Sequence, residues 1–170
     1  MDQPDTEVPK ELHSEYEGRP FQSCTRCGET LADFEDGYQI SKIYRAGECV
    51  MEYAICTPCH SAMVADYSED SREKMEKFQD ENVQIGLGLN TCAVCNTARD
   101  DSNPLTEYGL GAICVGSVLA HDMMVCGVCS ERMQALISKE TRDSRDRFIG
   151  ENFPCAPNES MPEPSGVPMF

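Results

Sequence analysis

The sequence predicts a small α+β fold in which one unit is used twice. Each unit is a cysteine knuckle, a β-hairpin and a helical segment, and both chain termini are expected to be disordered. Three observations carry this reading. Eight of the 11 cysteines form four C-x-x-C pairs: Cys24/Cys27, Cys56/Cys59, Cys92/Cys95 and Cys126/Cys129. The first and third pairs are offset by 68 residues and the second and fourth by 70. At the longer offset the flanks also match: Tyr38 falls on Tyr108, Ile43 on Ile113, Met63 on Met133, Phe78 on Phe148, and Glu81-Asn82 on Glu151-Asn152. In both copies, alternating apolar and polar residues give way to helical spacing after the second pair.

Each element follows in order. Residues 1–20 are a polar, charged N-terminal segment. The first module spans 21–84, a junction IGLGLN covers 85–90, the second module spans 91–154, and a tail with four prolines occupies 155–170. Each first pair opens a tight turn, with Gly28 directly after it in copy one and Asn96 in copy two, so the second turn is expected to differ in detail. Tyr38, Ile40 and Tyr44 alternate with Gln39, Ser41 and Arg45. A turn at Ala46-Gly47 and a second apolar run, Val50 to Ile55, complete a hairpin signal. Copy two gives Tyr108 to Val115, a turn at Gly116-Ser117, and Val118 to Val125. The stripes Cys59, Met63, Tyr67 and Cys129, Met133, Ile137 then mark a helix behind each second pair. A further helix follows, from about Ser68 to Phe78 and Ser138 to Phe148, with the two serines as N-caps.

Composition narrows the functions. The chain has 170 residues, with 30 Asp plus Glu against 14 Lys plus Arg and a net charge of −16. That balance disfavours coating a nucleic acid, which needs clustered cations on phosphates, and docking on anionic lipid. No stretch approaches the roughly 20 apolar residues that span a bilayer. The acidic N-terminus lacks the basic and apolar regions of a secretory signal. A reducing, cytoplasmic location follows, where cysteine pairs point to metal rather than to a disulfide framework.

Four thiolates per copy have a physical reason. A core of about 60 residues rarely supplies more than ~3–5 kcal/mol, and the chain has no tryptophan. A structural zinc contributes an apparent ~10–16 kcal/mol in small fingers. Zn²⁺ takes four tetrahedral ligands. A C-x-x-C turn supplies one edge of the tetrahedron, and the N-terminus of a helix, which favours thiolate charge, supplies the other. The spacings are C-x2-C-x28-C-x2-C and C-x2-C-x30-C-x2-C. Sequential sites, one Zn²⁺ per copy and two per chain, are favoured over cross-braced ones, because a helix separates Cys59 from Cys92. With all four ligands protein-derived, each site is closed to water and substrate, and no nucleophile motif, phosphate loop or H-E-x-x-H sequence is present, so the reading is non-catalytic.

A knuckle such as CTRCGE, a hairpin, and a helix whose first turn carries the second C-x-x-C resemble the treble-clef group of zinc fingers. The resemblance covers most of each copy and implies that Cys24, Cys27, Cys56, Cys59, Cys92, Cys95, Cys126 and Cys129 are structural ligands. That group includes nucleic-acid binders, protein adaptors and purely structural modules, so it does not select a function. The leading expectation is an adaptor or regulator working through protein–protein contacts, the two copies packed about a pseudo-twofold. Two alternatives stand beside it. Rubredoxin-like proteins hold one iron for electron transfer with two similarly spaced pairs, but here CTPCHSA and CGVCSER run into helices. A nucleic-acid role would rest on Arg142, Arg145 and Arg147, which Asp143 and Asp146 interrupt.

The remaining residues take blander readings. Cys49, Cys114 and Cys155 hold no equivalent ligand positions and read as small buried hydrophobes. His60 reads as an exposed helix residue, and His13 and His121 have no catalytic partner by spacing. The methionines read as core. Glu52 and Asp122, matched carboxylates four residues before the second pairs, read as hairpin surface charges. The run Asp66 to Glu81 reads as a solvated helix face.

Overall fold

The computed structural model describes residues 8–45, 47–99, 107–115 and 118–152. The Pro-rich tail, Cys155 and part of each hairpin turn lie outside the described residues. Each copy forms the predicted hairpin: β1 (Tyr38–Arg45) with β2 (Glu48–Cys56), and β3 (Glu107–Val115) with β4 (Val118–Cys126). β-branched and aromatic residues at alternate positions favour these strands, and each ladder carries a register shift near its turn, at Ile43/Tyr44 and at Ile113/Cys114.

β1 and β3 also pair with each other, antiparallel, so the two hairpins merge into one four-stranded sheet of order β2-β1-β3-β4. The second cysteine pair of each copy starts a helix directly off the sheet, α1 (Thr57–Ala65) and α3 (Gly127–Gln134), with Cys56 and Cys126 as N-caps. The longer helices α2 (Glu69–Asn82) and α4 (Lys139–Asn152) follow. As expected from their spacing, Cys59, Met63 and Tyr67, and Cys129, Met133 and Ile137, are all buried.

The long helices cross between copies. α4 of copy two packs against α1 of copy one, and Phe148 meets Tyr53 of β2 edge-to-face, ring centroids 5.8 Å apart. In return, the Arg132 guanidinium of α3 lies over the Phe78 ring of α2 at 5.5 Å. The two helix N-termini meet at Ser68 and Ser138. The Ser68 amide donates to Thr141 Oγ1 at 2.9 Å, the Ser138 amide donates to Ser71 Oγ at 2.8 Å, and the Ser68 and Ser138 hydroxyls are 3.1 Å apart. Each serine also caps its own helix by accepting from Ser71 N or Thr141 N. One hydrophobic core therefore runs through both copies, containing Ile40, Ile55, Leu110, Met124, Met63, Met133 and Phe148.

The N-terminal segment departs from the expectation of a disordered end over residues 8–20, which pack as a strap on the sheet. A 3₁₀ turn at Lys10–Leu12 buries Leu12 completely. The physical reason lies in two charged residues of the hairpin. Lys42 is fully buried, and its ammonium donates to the strap carbonyls of His13 (2.7 Å) and Glu11 (3.0 Å) and to Glu15 Oε1 (3.3 Å). Glu52 is not the surface charge that its position suggests. Its side chain is 9% exposed, and it accepts from Ser14 Oγ (2.8 Å), Glu15 N (2.9 Å) and Tyr16 N (3.3 Å). A buried carboxylate and ammonium need such partners, because an unmet buried charge costs far more than an exposed one. Its counterpart Asp122 is half-buried. Among the described residues, no helix is long and apolar enough to cross a membrane.

Candidate metal centres

Each first pair lies in a short loop closed by its own hydrogen bonds. In copy one Gly28 N donates to Cys24 O at 2.9 Å and Cys24 N to Glu29 O at 2.9 Å. In copy two Asn96 N donates to Cys92 O at 3.0 Å and Cys92 N to Thr97 O at 2.9 Å. The expected difference between the turns does not arise: Asn96 adopts φ 65°, close to the 77° of Gly28. Asparagine is among the few residues that tolerate this left-handed region. Each loop is then clipped to the strand leading to the second pair, Thr25 N to Ala54 O at 2.7 Å and Ala93 N to Met124 O at 2.8 Å.

These contacts bring the predicted residues together in two sequential quartets, Cys24, Cys27, Cys56 and Cys59, and Cys92, Cys95, Cys126 and Cys129. In each, the four sulfurs lie within 4.8 Å of one another. Tetrahedral zinc with Zn–S near 2.3 Å requires sulfurs ~3.8 Å apart. Cys27 and Cys56 Sγ are 3.8 Å apart, and Cys95 and Cys126 Sγ are 3.7 Å apart. Backbone amides point at the sulfurs as well: Cys56 N and Cys27 N at Cys24 Sγ (3.4 and 3.5 Å), and Cys126 N at Cys92 Sγ (3.4 Å). The donor set and its spacing fit a tetrahedral thiolate metal ion.

The electrostatics agree with that fit. Burial opposes ionisation of Cys24, but the amides of Cys27, Cys56 and Arg26 outweigh it and bring its pKa down to about 7. The Thr97 hydroxyl, 3.1 Å from Cys95 Sγ, favours the Cys95 thiolate, whose pKa falls to about 6. Burial and the neighbouring sulfurs push Cys56 and Cys129 up. Four thiols this close cannot all ionise by themselves; a bound cation is what relieves their repulsion.

The other candidates disperse. Cys49 is half-buried on β2 and Cys114 fully buried on β3, and burial pushes each thiol up to about 11, as small core residues rather than ligands. His60 is half-buried rather than exposed, and His121 is exposed. His13 Nε2 lies 3.1 Å from Val8 O in the strap. Two residues bearing on the first quartet and the strap escaped sequence reasoning. Arg26, exposed between Cys24 and Cys27, is a cation whose charged form Cys59 and Cys24 favour, and Lys42 anchors the strap. The only signal for Arg26 was a cation inside a C-x-x-C pair. Compared with protein-family models, curated proteins and solved structures, the chain matches none.

Proposed function

We propose that each quartet binds one Zn²⁺ as a closed structural site, that each copy is a treble-clef-like zinc module, and that the chain is a non-catalytic adaptor or regulator acting through protein–protein contacts. The observation that carries the metal reading is the clustering of four cysteine sulfurs within 4.8 Å in both copies. A closed tetrahedral site leaves no position for substrate, which supports a structural role.

Charge supports the choice of partner. Eight thiolates and two Zn²⁺ add −8 and +4 to the −16 of the chain, giving −20. A basic or mixed-charge protein surface suits such a molecule, and a nucleic acid does not. A reducing compartment such as the cytoplasm keeps the thiols available for metal.

Elemental analysis of purified protein tests the first part. Two equivalents of zinc and a colourless solution are expected. A red solution with iron bound would instead establish the electron-transfer alternative. For the second part, a pull-down at physiological salt is expected to return a specific protein. Recovery of none, or a gel shift with nucleic acid that weakens steeply with salt, would refute the adaptor reading.

A further inference from the structure

The two quartets share ligands and geometry but not surroundings. In the first, Cys24, Cys56 and Cys59 are 2%, 1% and 6% exposed, and Cys27 alone faces solvent. In the second, Cys92 and Cys129 are buried, but Cys126 is half-exposed and Cys95 exposed. The open residues of the second quartet form one edge, since Cys95 and Cys126 Sγ are 3.7 Å apart.

Charge differs as well. Four thiolates around a divalent ion carry a net −2. At the first quartet the exposed Arg26 stands between Cys24 and Cys27 and puts a positive charge into the knuckle, where Cys59 and Cys24 favour its charged form. A positive charge beside the thiolates offsets the cluster's charge. At the corresponding place in the second knuckle stands Val94, which is apolar and half-buried. Its exposed sulfur has a hydroxyl, Thr97, as neighbour in place of a cation.

We infer that the two sites are functionally unequal: the second quartet, entered through Cys95 and Cys126, is the chain's point of metal loss and of attack by soft electrophiles, and the first is protected by burial and Arg26. This rests on the metal reading above. Attack by a haloacetamide follows ordinary displacement. The Cys95 thiolate forms a sulfur–carbon bond to the methylene carbon, the carbon–iodine bond breaks, and iodide leaves with the electron pair. The resulting thioether is uncharged and a far poorer metal ligand.

The experiment uses the intact chain, after its metal content has been measured. A limiting pulse of iodoacetamide is followed by peptide mass spectrometry, with released metal read by a chromophoric chelator. Cys95 and Cys126 are expected to be alkylated before any cysteine of the first quartet. One metal equivalent should leave in a fast phase and the other about tenfold more slowly, the scale on which groups touching metal ligands act. Arg26→Ala, a change at an exposed position, should speed loss from the first quartet and bring the two phases together. Two equivalents released in a single phase, earlier labelling of Cys27, or no effect of Arg26→Ala would overturn this inference while leaving the metal reading intact. Protein purified under reducing conditions without bound metal would overturn both.

Discussion

Ser41 lies opposite Gly111 in the β1–β3 ladder, and the two residues are each other's counterparts at the 70-residue offset of the repeat. A residue paired antiparallel with its own equivalent marks a local twofold axis. From that pair outward the register places Tyr44 against Tyr108 and Tyr38 against Cys114. The first pairing stacks two rings, centroids 5.1 Å apart and 13° from parallel. The second brings a tyrosine hydroxyl to the buried Cys114 thiol, and Tyr38 is pushed up to about 12 by burial and that contact. The axis continues among the helices, where Ser68 and Ser138 exchange hydrogen bonds with Thr141 and Ser71.

A shared sheet predicts that damage to one metal site reaches both copies. Cys56 is 1% exposed and ends the strand that pairs with β1, which in turn pairs with β3. Cys56→Ser is expected to abolish metal binding at the first quartet. The loss of an apparent ~10–16 kcal/mol of site energy compares with a typical total stability of ~5–15 kcal/mol. Circular dichroism should therefore show both copies unfolded or melting together. A variant that keeps one metal and half its structure in a separate, later transition would argue against a common core.

The serine cluster predicts non-additivity. Ser68 and Ser138 hydroxyls are 3.1 Å apart, and each also caps its own helix. Ser68→Ala and Ser138→Ala should each cost about 1 kcal/mol, the ordinary value of an N-cap. Because they share partners, the double variant should differ from the sum by at least ~0.5 kcal/mol. Denaturant titration of the four proteins measures this, and strict additivity would mean that the inter-copy bonds contribute nothing.

Much of this architecture is legible in the chain before folding. The quartets, hairpins, helix stripes and serine caps all follow from local spacing, because knuckles, strands and helix starts are governed by residues a few positions apart. The β1–β3 pairing is not of that kind. Nothing in YQISKIYR or EYGLGAICV states which other strand edge each will meet, and pairing of distant strands is decided by the packing of the whole core. The strap was hidden for a related reason. Leu12 is a lone apolar residue in a charged stretch, and the buried roles of Lys42 and Glu52 appear only once residues 8–20 cover them. A matched carboxylate pair looks like surface until one member is found accepting three hydrogen bonds.

Lys42 and Glu52 give the strap a measurable energy. Their charged atoms are 3.9 Å apart, with side-chain exposures of 0% and 9%. Glu52→Ala leaves the Ser14 hydroxyl and the amides of Glu15 and Tyr16 without their acceptor, and leaves a buried ammonium short of one carboxylate. A cost of about 3–5 kcal/mol is expected. In a Lys42→Met background the same change should cost less, since no buried cation is left behind. Hydrogen exchange at Glu15 and Tyr16 should accelerate in Glu52→Ala while core amides of β3 stay protected. A cost below about 1 kcal/mol, with exchange unchanged, would mean that the strap is held by Leu12 alone.

Asn96 tests whether backbone conformation, rather than glycine as such, defines the knuckle. Its φ of 65° matches the 77° of Gly28, and both residues donate to the carbonyl of the first cysteine of their pair. Asn96→Gly relieves the steric demand of the left-handed region but adds freedom to the unfolded chain, so the two effects oppose each other and the net change should stay within a few tenths of a kcal/mol. Asn96→Ala keeps a Cβ without the side-chain amide and should cost about 1 kcal/mol, and Asn96→Val more, because branching at Cβ worsens the clash with the following carbonyl. The cost should appear in the denaturation midpoint of the metal-loaded protein and in faster metal loss from the second quartet alone, since the turn sets the separation of Cys92 and Cys95. A neutral Asn96→Val would mean that the loop rearranges freely and that the metal, not the turn, positions those two thiolates.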